Sequence, residues 1–232
     1  MDPLQGTCMN CPVCNKCIVC GYDWSRLFER IRISARYPAG ATVIVEGEPL
    51  SGLIVDCTGA VKITITTATG KSVVLKVCRP GEVIGMADLL SDRISSIRCT
   101  TLFDSELSLI PWRDFEQAIS GHADALKAVA SYVALCVKSE RERMREFVCP
   151  SVRTRINSFL RSLSPSIVTH THPSTTVFVP FPYTNEQIAE IVGCTRESVS
   201  RLMSALEKTG TIERHGTLLK LAADFERRLG PN

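Results

Sequence analysis

From Tyr37 to Gly85 the chain never runs far without a glycine. Gly40, Gly47, Gly52, Gly59, Gly70, Gly81 and Gly85 separate short runs rich in β-branched residues at 43–45, 53–55, 61–66 and 73–77. Glycine inside a helix costs ~1 kcal/mol against alanine, so glycines this dense leave no window for a helix. Valine, isoleucine and threonine instead suit a pleated, half-buried surface. Closely spaced strands with glycine turns predict a small barrel or sandwich, to which residues 100–110 add one further strand. A short amphipathic helix is expected ahead of it, over 24–33.

Beyond Pro111 the periodicity changes. Leu126, Ala130, Val133, Val137, Glu140, Met144 and Phe147 alternate four and three residues apart. That is the a/d seam of a coiled coil, and it predicts a helix over 124–147. Such a helix packs either on its own barrel or against a second copy of the chain. The regular seam and the charged flank KSERERMRE at 138–146 favour the homodimer. Pro150 breaks the helix and 152–163 forms another. Residues 164–182 are rich in Pro, Ser and Thr, a loop leading into a short strand; His170 and His172 have no partner cluster there and read as solvated.

Residues 184–208, TNEQIAEIVGCTRESVSRLMSALEK, carry the most specific local signals. Thr184 with Gln187 makes a capping box, and Ile188, Ala189 and Val192 give a short helix its buried face. Gly193 makes a turn. Thr195 then caps a second helix with inner face Val199, Leu202, Met203 and Leu206, and Gly210 ends it. This is a helix-turn-helix. The exposed start of its second helix presents Arg196, Glu197, Ser200 and Arg201, with Thr195 and Ser198 beside them. Arginine can pair bidentately with guanine, glutamate accepts from cytosine N4, and serine can approach either base edge. Residues 211–221 read as a two-stranded wing. Residues 150–232 hold ten Lys/Arg and seven Asp/Glu, a mild positive balance of +3.

The chain has 11 cysteines in 232 residues, and five of them, Cys8, Cys11, Cys14, Cys17 and Cys20, recur every third residue. On a helix that period smears side chains around the axis, and on a strand it alternates faces. A loop wrapped around an inorganic centre uses it best. No secretory signal precedes the run, and the longest apolar candidate, 125–137, is interrupted by Lys127. A cytoplasmic protein with reduced thiols and no membrane partner is expected. The other six cysteines lie singly among apolar residues and read as small core hydrophobes.

A glycine-punctuated β-roll, a long dimer helix and a C-terminal winged helix-turn-helix together resemble the CRP/FNR transcription regulators. The resemblance covers nearly the whole chain and is most specific in GCTRESVSR and in YPAGATVIVEGEPLSGLIVDCTGAVKI. It implies an α+β fold: a cyclic-nucleotide-binding-like β-roll (jelly roll), a dimerisation helix and a winged helix. The expected boundaries are 1–23 for a cysteine-rich segment, 24–120 for the sensor roll, 121–149 for the dimer helix and 150–232 for the DNA-binding domain. It further implies that Glu197 and Arg201 occupy base-reading positions. Ser200 matches one branch and Arg196 the other, so the half-site is TTGAT-like, TGTGA-like or a hybrid. The partners are double-stranded DNA with an inverted-repeat operator and RNA polymerase.

The resemblance offers two sensors. The cyclic-nucleotide branch surrounds its ligand with a Glu and an Arg-Ser pair; here Met86 to Asp88 gives no good Glu, and Ser95-Ser96 stands where Arg-Ser is expected. Cyclic nucleotide is therefore not expected. The other branch holds a 4Fe–4S cluster on three N-terminal cysteines spaced x2 then x5, plus one from the roll. Cys11, Cys14 and Cys20 reproduce that spacing, as do Cys8, Cys11 and Cys17. Ser108 falls where the remote cysteine would be, so either Cys99 substitutes or the run supplies all four ligands; the run is favoured because a short loop closes cheaply. Zinc on four thiolates, or a metal-free dithiol switch, are the alternatives. An iron–sulfur enzyme or electron carrier is the rival class, but no flavin or nucleotide fingerprint is present and a carrier would not need a winged helix.

Overall fold

The computed structural model describes residue 17 and residues 30–70, 72–148, 151–163 and 177–230. The chain divides between Lys138 and Ser139 into two compact units.

In the first unit eight strands form two antiparallel sheets: β1 (Ile33–Tyr37), β2 (Thr42–Ile44), β3 (Gly52–Thr58), β4 (Val61–Thr66), β5 (Ser72–Cys78), β6 (Val83–Ile84), β7 (Arg98–Thr101) and β8 (Ser105–Pro111). Their orders are β1-β8-β3-β6 and β2-β7-β4-β5. The expected strands at 43–45, 53–55, 61–66 and 73–77 all appear: the first is shifted back by one residue, the third has the expected bounds, and the second and fourth are longer. The single strand expected over 100–110 is two strands: the chain turns at 102–104, where the Ser105 hydroxyl donates to the Phe103 carbonyl at 2.7 Å. Arg30 and Ile31 are helical, but Ile33, expected in that helix, opens β1 instead.

Two glycines are required by contact. A Cβ on Gly52 would lie 2.1 Å from the Ile110 carbonyl oxygen, and one on Gly59 would lie 2.1 Å from the Ser105 Oγ. Both are points where β3 or its turn meets β8, so glycine here brings the strands together.

Alternation along β3 divides the core. Leu53 and Val55 join Val83, Ile110, Trp112 and Phe115 in one buried cluster; Ile54 joins Ile44, Val61, Ile63, Cys78 and Cys99 in a second. The first cluster is covered by three helices, α1 (Met86–Leu90), α2 (Trp112–Ile119) and α3 (Ala123–Val148), which contribute Leu89, Ile119 and Val129. Cys17 is buried in that same cluster.

The second unit contains α4 (Val152–Leu163), β9 (Val177–Pro180), α5 (Asn185–Val192), α6 (Arg196–Lys208), β10 (Ile212–His215), β11 (Leu218–Leu221) and α7 (Phe225–Leu229). The wing is three-stranded, in order β10-β11-β9, because the strand after the Pro-rich stretch joins it. Ile156, Leu160, Ile188, Met203, Ile212 and Leu219 are the largest fully buried side chains of this unit. Asn157 Nδ2 donates to the Leu229 carbonyl at 2.9 Å, tying α7 to α4.

Candidate nucleic-acid interface and sensor residues

The helix-turn-helix is built by caps. Thr184 Oγ1 accepts the Gln187 N–H at 3.2 Å while Gln187 Oε1 accepts the Thr184 N–H at 2.9 Å, a closed capping box at the start of α5. Gly193 ends α5 at φ 69°, the left-handed conformation that glycine adopts freely. Arg155 from α4 donates to the Val192 and Gly193 carbonyls, both at 3.0 Å. It satisfies carbonyls the helix end leaves open and fixes the turn. Thr195 then caps α6, its Oγ1 accepting the Ser198 N–H at 3.3 Å.

This cap decides what α6 presents. Val199 and Met203 are buried, so Arg196, Glu197, Ser200 and Arg201 are exposed on the outward face. The Thr195 and Ser198 hydroxyls are engaged with each other at 3.0 Å, so these two residues hold the helix start in place. Glu197 is held below the usual carboxylate range by the backbone N–H at the helix start, then by the Thr195 hydroxyl and by Arg196 and Arg201. It is an ionised acceptor at neutral pH. Leu202 and Leu206, expected on the inner face with Val199 and Met203, are only half-buried.

The wing is braced by ion pairs. Lys220 Nζ lies 2.8 Å from Glu213 Oε2, and Arg214 reaches Glu207 at 3.2 Å and the Asn185 side-chain oxygen at 2.7 Å.

Along α3, Ala125, Ala128 and Val129 are buried, and the Tyr132 hydroxyl bonds both the N–H (3.0 Å) and the carbonyl (3.2 Å) of Val83. The helix therefore does pack on its own roll. Most a/d positions lie elsewhere on its surface: Leu126 is 51% exposed, Val137 45% and Met144 66%, Ala130 is also exposed and Glu140 half-buried, whereas Val133 is half-buried against the roll's core. The Phe147 side chain falls outside the described residues.

The sensor residues are distributed unevenly. Cys8, Cys11, Cys14 and Cys20 lie outside the described residues, as do His170 and His172. Cys99 lies between the sheets with its thiol pushed up to about 12 by burial, which opposes a thiolate ligand. Among the described residues no group of three or more His, Cys, Asp or Glu could hold a metal ion. Ser108 is buried on β8, and its hydroxyl lies 2.7 Å from the Ser34 Oγ and 3.2 Å from the Cys57 Sγ. The neighbouring thiol at Cys57 escapes a reading of the sequence because 51 residues separate it from Ser108.

At the positions where the resemblance implies a Glu and an Arg-Ser pair, Met86 is buried in the core and Ser95 is buried with its hydroxyl on the Ile97 carbonyl. The Asp88 carboxylate accepts the Ser96 hydroxyl at 2.7 Å and its N–H at 3.3 Å. Arg93, in the left-handed region at φ 65°, lies over the Trp112 ring and 3.7 Å from Glu116. One more acid is unforeseen from sequence. Asp56 follows Ile54 on the inner face of β3, is fully buried, and neither carboxylate oxygen has a hydrogen-bond partner among the described residues. Burial, with Glu82 nearby, pushes its carboxyl up to about 7.

Residues 34–122 match the cyclic nucleotide-binding domain family and residues 154–223 the Crp-like helix-turn-helix domain family. The cAMP-activated global transcriptional regulator CRP of Salmonella typhimurium is 29% identical over 184 residues, covering 78% of this chain and 85% of that protein. FixK2 from Bradyrhizobium japonicum superposes with a TM-score of 0.74 at 19% identity, covering 87% of this chain and 98% of that one. TTHA1359, a CRP/FNR-family transcriptional regulator from Thermus thermophilus, superposes at 0.61 with 19% identity, covering 85% and 97%. No helix among the described residues is long and apolar enough to cross a membrane.

Proposed function

The chain belongs to the CRP/FNR family of transcription regulators, and from that premise we propose that it binds an inverted-repeat operator as a homodimer under the control of a 4Fe–4S group held by its N-terminal cysteines. The observation that carries the first part is the capped helix α6, whose exposed start aims two arginines, a serine and an ionised glutamate outward. Arg196 or Arg201 would take guanine O6 and N7, Glu197 a cytosine amino group and Ser200 either base edge. In a two-fold dimer the half-sites fall about one helical turn apart. The uncovered apolar positions on α3 support pairing with a second copy. On the promoter RNA polymerase is the protein partner.

Support for the sensor comes from the thiol count. With Cys17 spent on the buried apolar cluster, the run still offers Cys8, Cys11, Cys14 and Cys20, the four thiolates such a group takes. The spacing that includes Cys11, Cys14 and Cys20 passes over the buried residue. Bound there, the group supplies sensitivity to oxygen, nitric oxide or redox state. The roll, by contrast, turns a carboxylate toward Ser96 and engages Arg93 elsewhere, which is unfavourable for an anionic cyclic nucleotide.

Metal analysis of anaerobically purified variants tests this. Cys17→Ser and Cys99→Ser should retain iron and acid-labile sulfide, while Cys14→Ser should lose them. Zinc in place of iron, or retention in Cys14→Ser with loss in Cys17→Ser, would reverse the assignment. Calorimetric titration with cyclic AMP should give no binding heat.

A further inference from the structure

The recognition helix carries a second working face. On a helix, residues 202, 206 and 209 form one stripe turned away from 197, 200 and 201, with Ala205, one turn beyond Arg201, on its border. The domain core is closed by Val199 and Met203, so Leu202 and Leu206 remain half-buried. With Ala205 they form the floor of a cleft of about 560 Å³ between α4, α6 and α7. Its rim is basic: Arg153 comes from α4, and Arg227 and Arg228 from α7. Asp224 is shared by both α7 arginines, at 2.6 and 2.5 Å, so the lining carries three arginines against one carboxylate. Arg153 has no ion-pair partner among the described residues.

This chemistry selects among occupants. Arg153, Ala205, Thr209, Arg227 and Arg228 are all exposed, so the cleft is shallow, whereas small ligands favour sites that enclose most of their surface. A DNA phosphate would meet the arginines but has no use for a leucine floor. A helical segment with leucine anchors flanked by Asp and Glu satisfies both, through the apolar stripe and the complementary rim. We propose that this cleft docks an acidic, leucine-bearing segment of a partner protein while the opposite flank of α6 lies on DNA. The second clause rests on the DNA-binding reading given above.

The probe is a fluorescent synthetic peptide of about 14 residues, near the lower limit for an isolated helix. It carries leucines at i, i+4 and i+7 and glutamates elsewhere; a twin has glutamine for every glutamate. Both are titrated by anisotropy against the full-length protein on operator DNA. The acidic peptide should bind about tenfold more tightly than its twin, and Arg153→Glu and Arg227→Gln should each weaken it about tenfold. Operator affinity and thermal midpoint should be unchanged, since both side chains are exposed and away from the base-reading face. No binding, equal binding of the two peptides, or insensitivity to both variants would overturn the proposal. So would a uniform loss of affinity for all DNA sequences with a shallower salt dependence, which would make the cleft a backbone contact. If the peptide behaves as expected on free protein while the wild type ignores operator DNA, the docking surface stands and the DNA reading falls.

Discussion

The winged-helix unit aims its exposed side chains with bonds that span three residues, such as Thr184 to Gln187 and Thr195 to Ser198. The β-roll assembles its polar interior across far longer separations: Cys57 reaches Ser108 over 51 residues and Ser34 reaches it over 74. The winged-helix unit presents outward groups that are already capped, charged and solvated. The roll buries its unusual groups, including a carboxylate with no partner among the described residues. A local scaffold gives a fixed reading head, whereas a long-range one gives an interior whose stability depends on the protonation of a buried acid. The buried titratable group thus sits in the roll, and the exposed charged ones on α6.

The largest expected effect tests whether the roll holds that strain. The Asp56 carboxyl rises from 3.8 to about 7 on folding. The folded state thus holds a proton the unfolded chain has lost. Stability from this group is complete below pH ~4, declines as pH rises toward ~7, and is flat above. Asp56→Asn should remove the decline and stabilise the roll above pH 7 by at most about 4 kcal/mol. Denaturant unfolding of both proteins from pH 4 to 8 measures this; parallel curves would show that the acid is not strained.

A second change concerns α3, the helix within which the division between the units falls. Glu140 is half-buried among apolar a/d positions, and in a parallel pair it would face its symmetry mate. Glu140→Leu should favour the dimer by about 3 kcal/mol, within the few-kcal/mol balance of a two-state element. The metal-free variant should then sediment as a dimer and bind operator in air. A variant as monomeric as the metal-free wild type would remove the seam charge from the switch. The smallest effect is on the reading head: Glu197→Ala should cost ~1–3 kcal/mol at one half-site position and relax preference there alone. Competition binding against single-base variants measures it, and a uniform loss would reassign Glu197 to fold or backbone contact.

What could be read in advance follows the same division. The capping box at Thr184, the turn at Gly193, the cap at Thr195 and most strands between glycines were legible because each is decided by neighbours in the chain. The inner face of α6 was only half legible: heptad-like spacing marks Leu202 and Leu206 as apolar, but only the placement of α4 and α7 leaves them lining a cleft. The break of 100–110 into two strands depends on the approach of Gly59 to Ser105, and the isolation of Asp56 on the fold of two sheets around it. Arg155, which pins the turn, looks in sequence like any helix-surface arginine.

The most direct test follows operator binding through one change of the sensor. Protein purified without oxygen is assayed for iron, sulfide, visible absorption and operator anisotropy, exposed to air, and assayed again. The expected result is a brown dimer whose absorption, iron and operator affinity fall together, with Cys14→Ser colourless and weakly bound from the start. A colourless protein that binds the same operator equally well before and after air, with or without Cys14, would contradict control by a cysteine-held 4Fe–4S group.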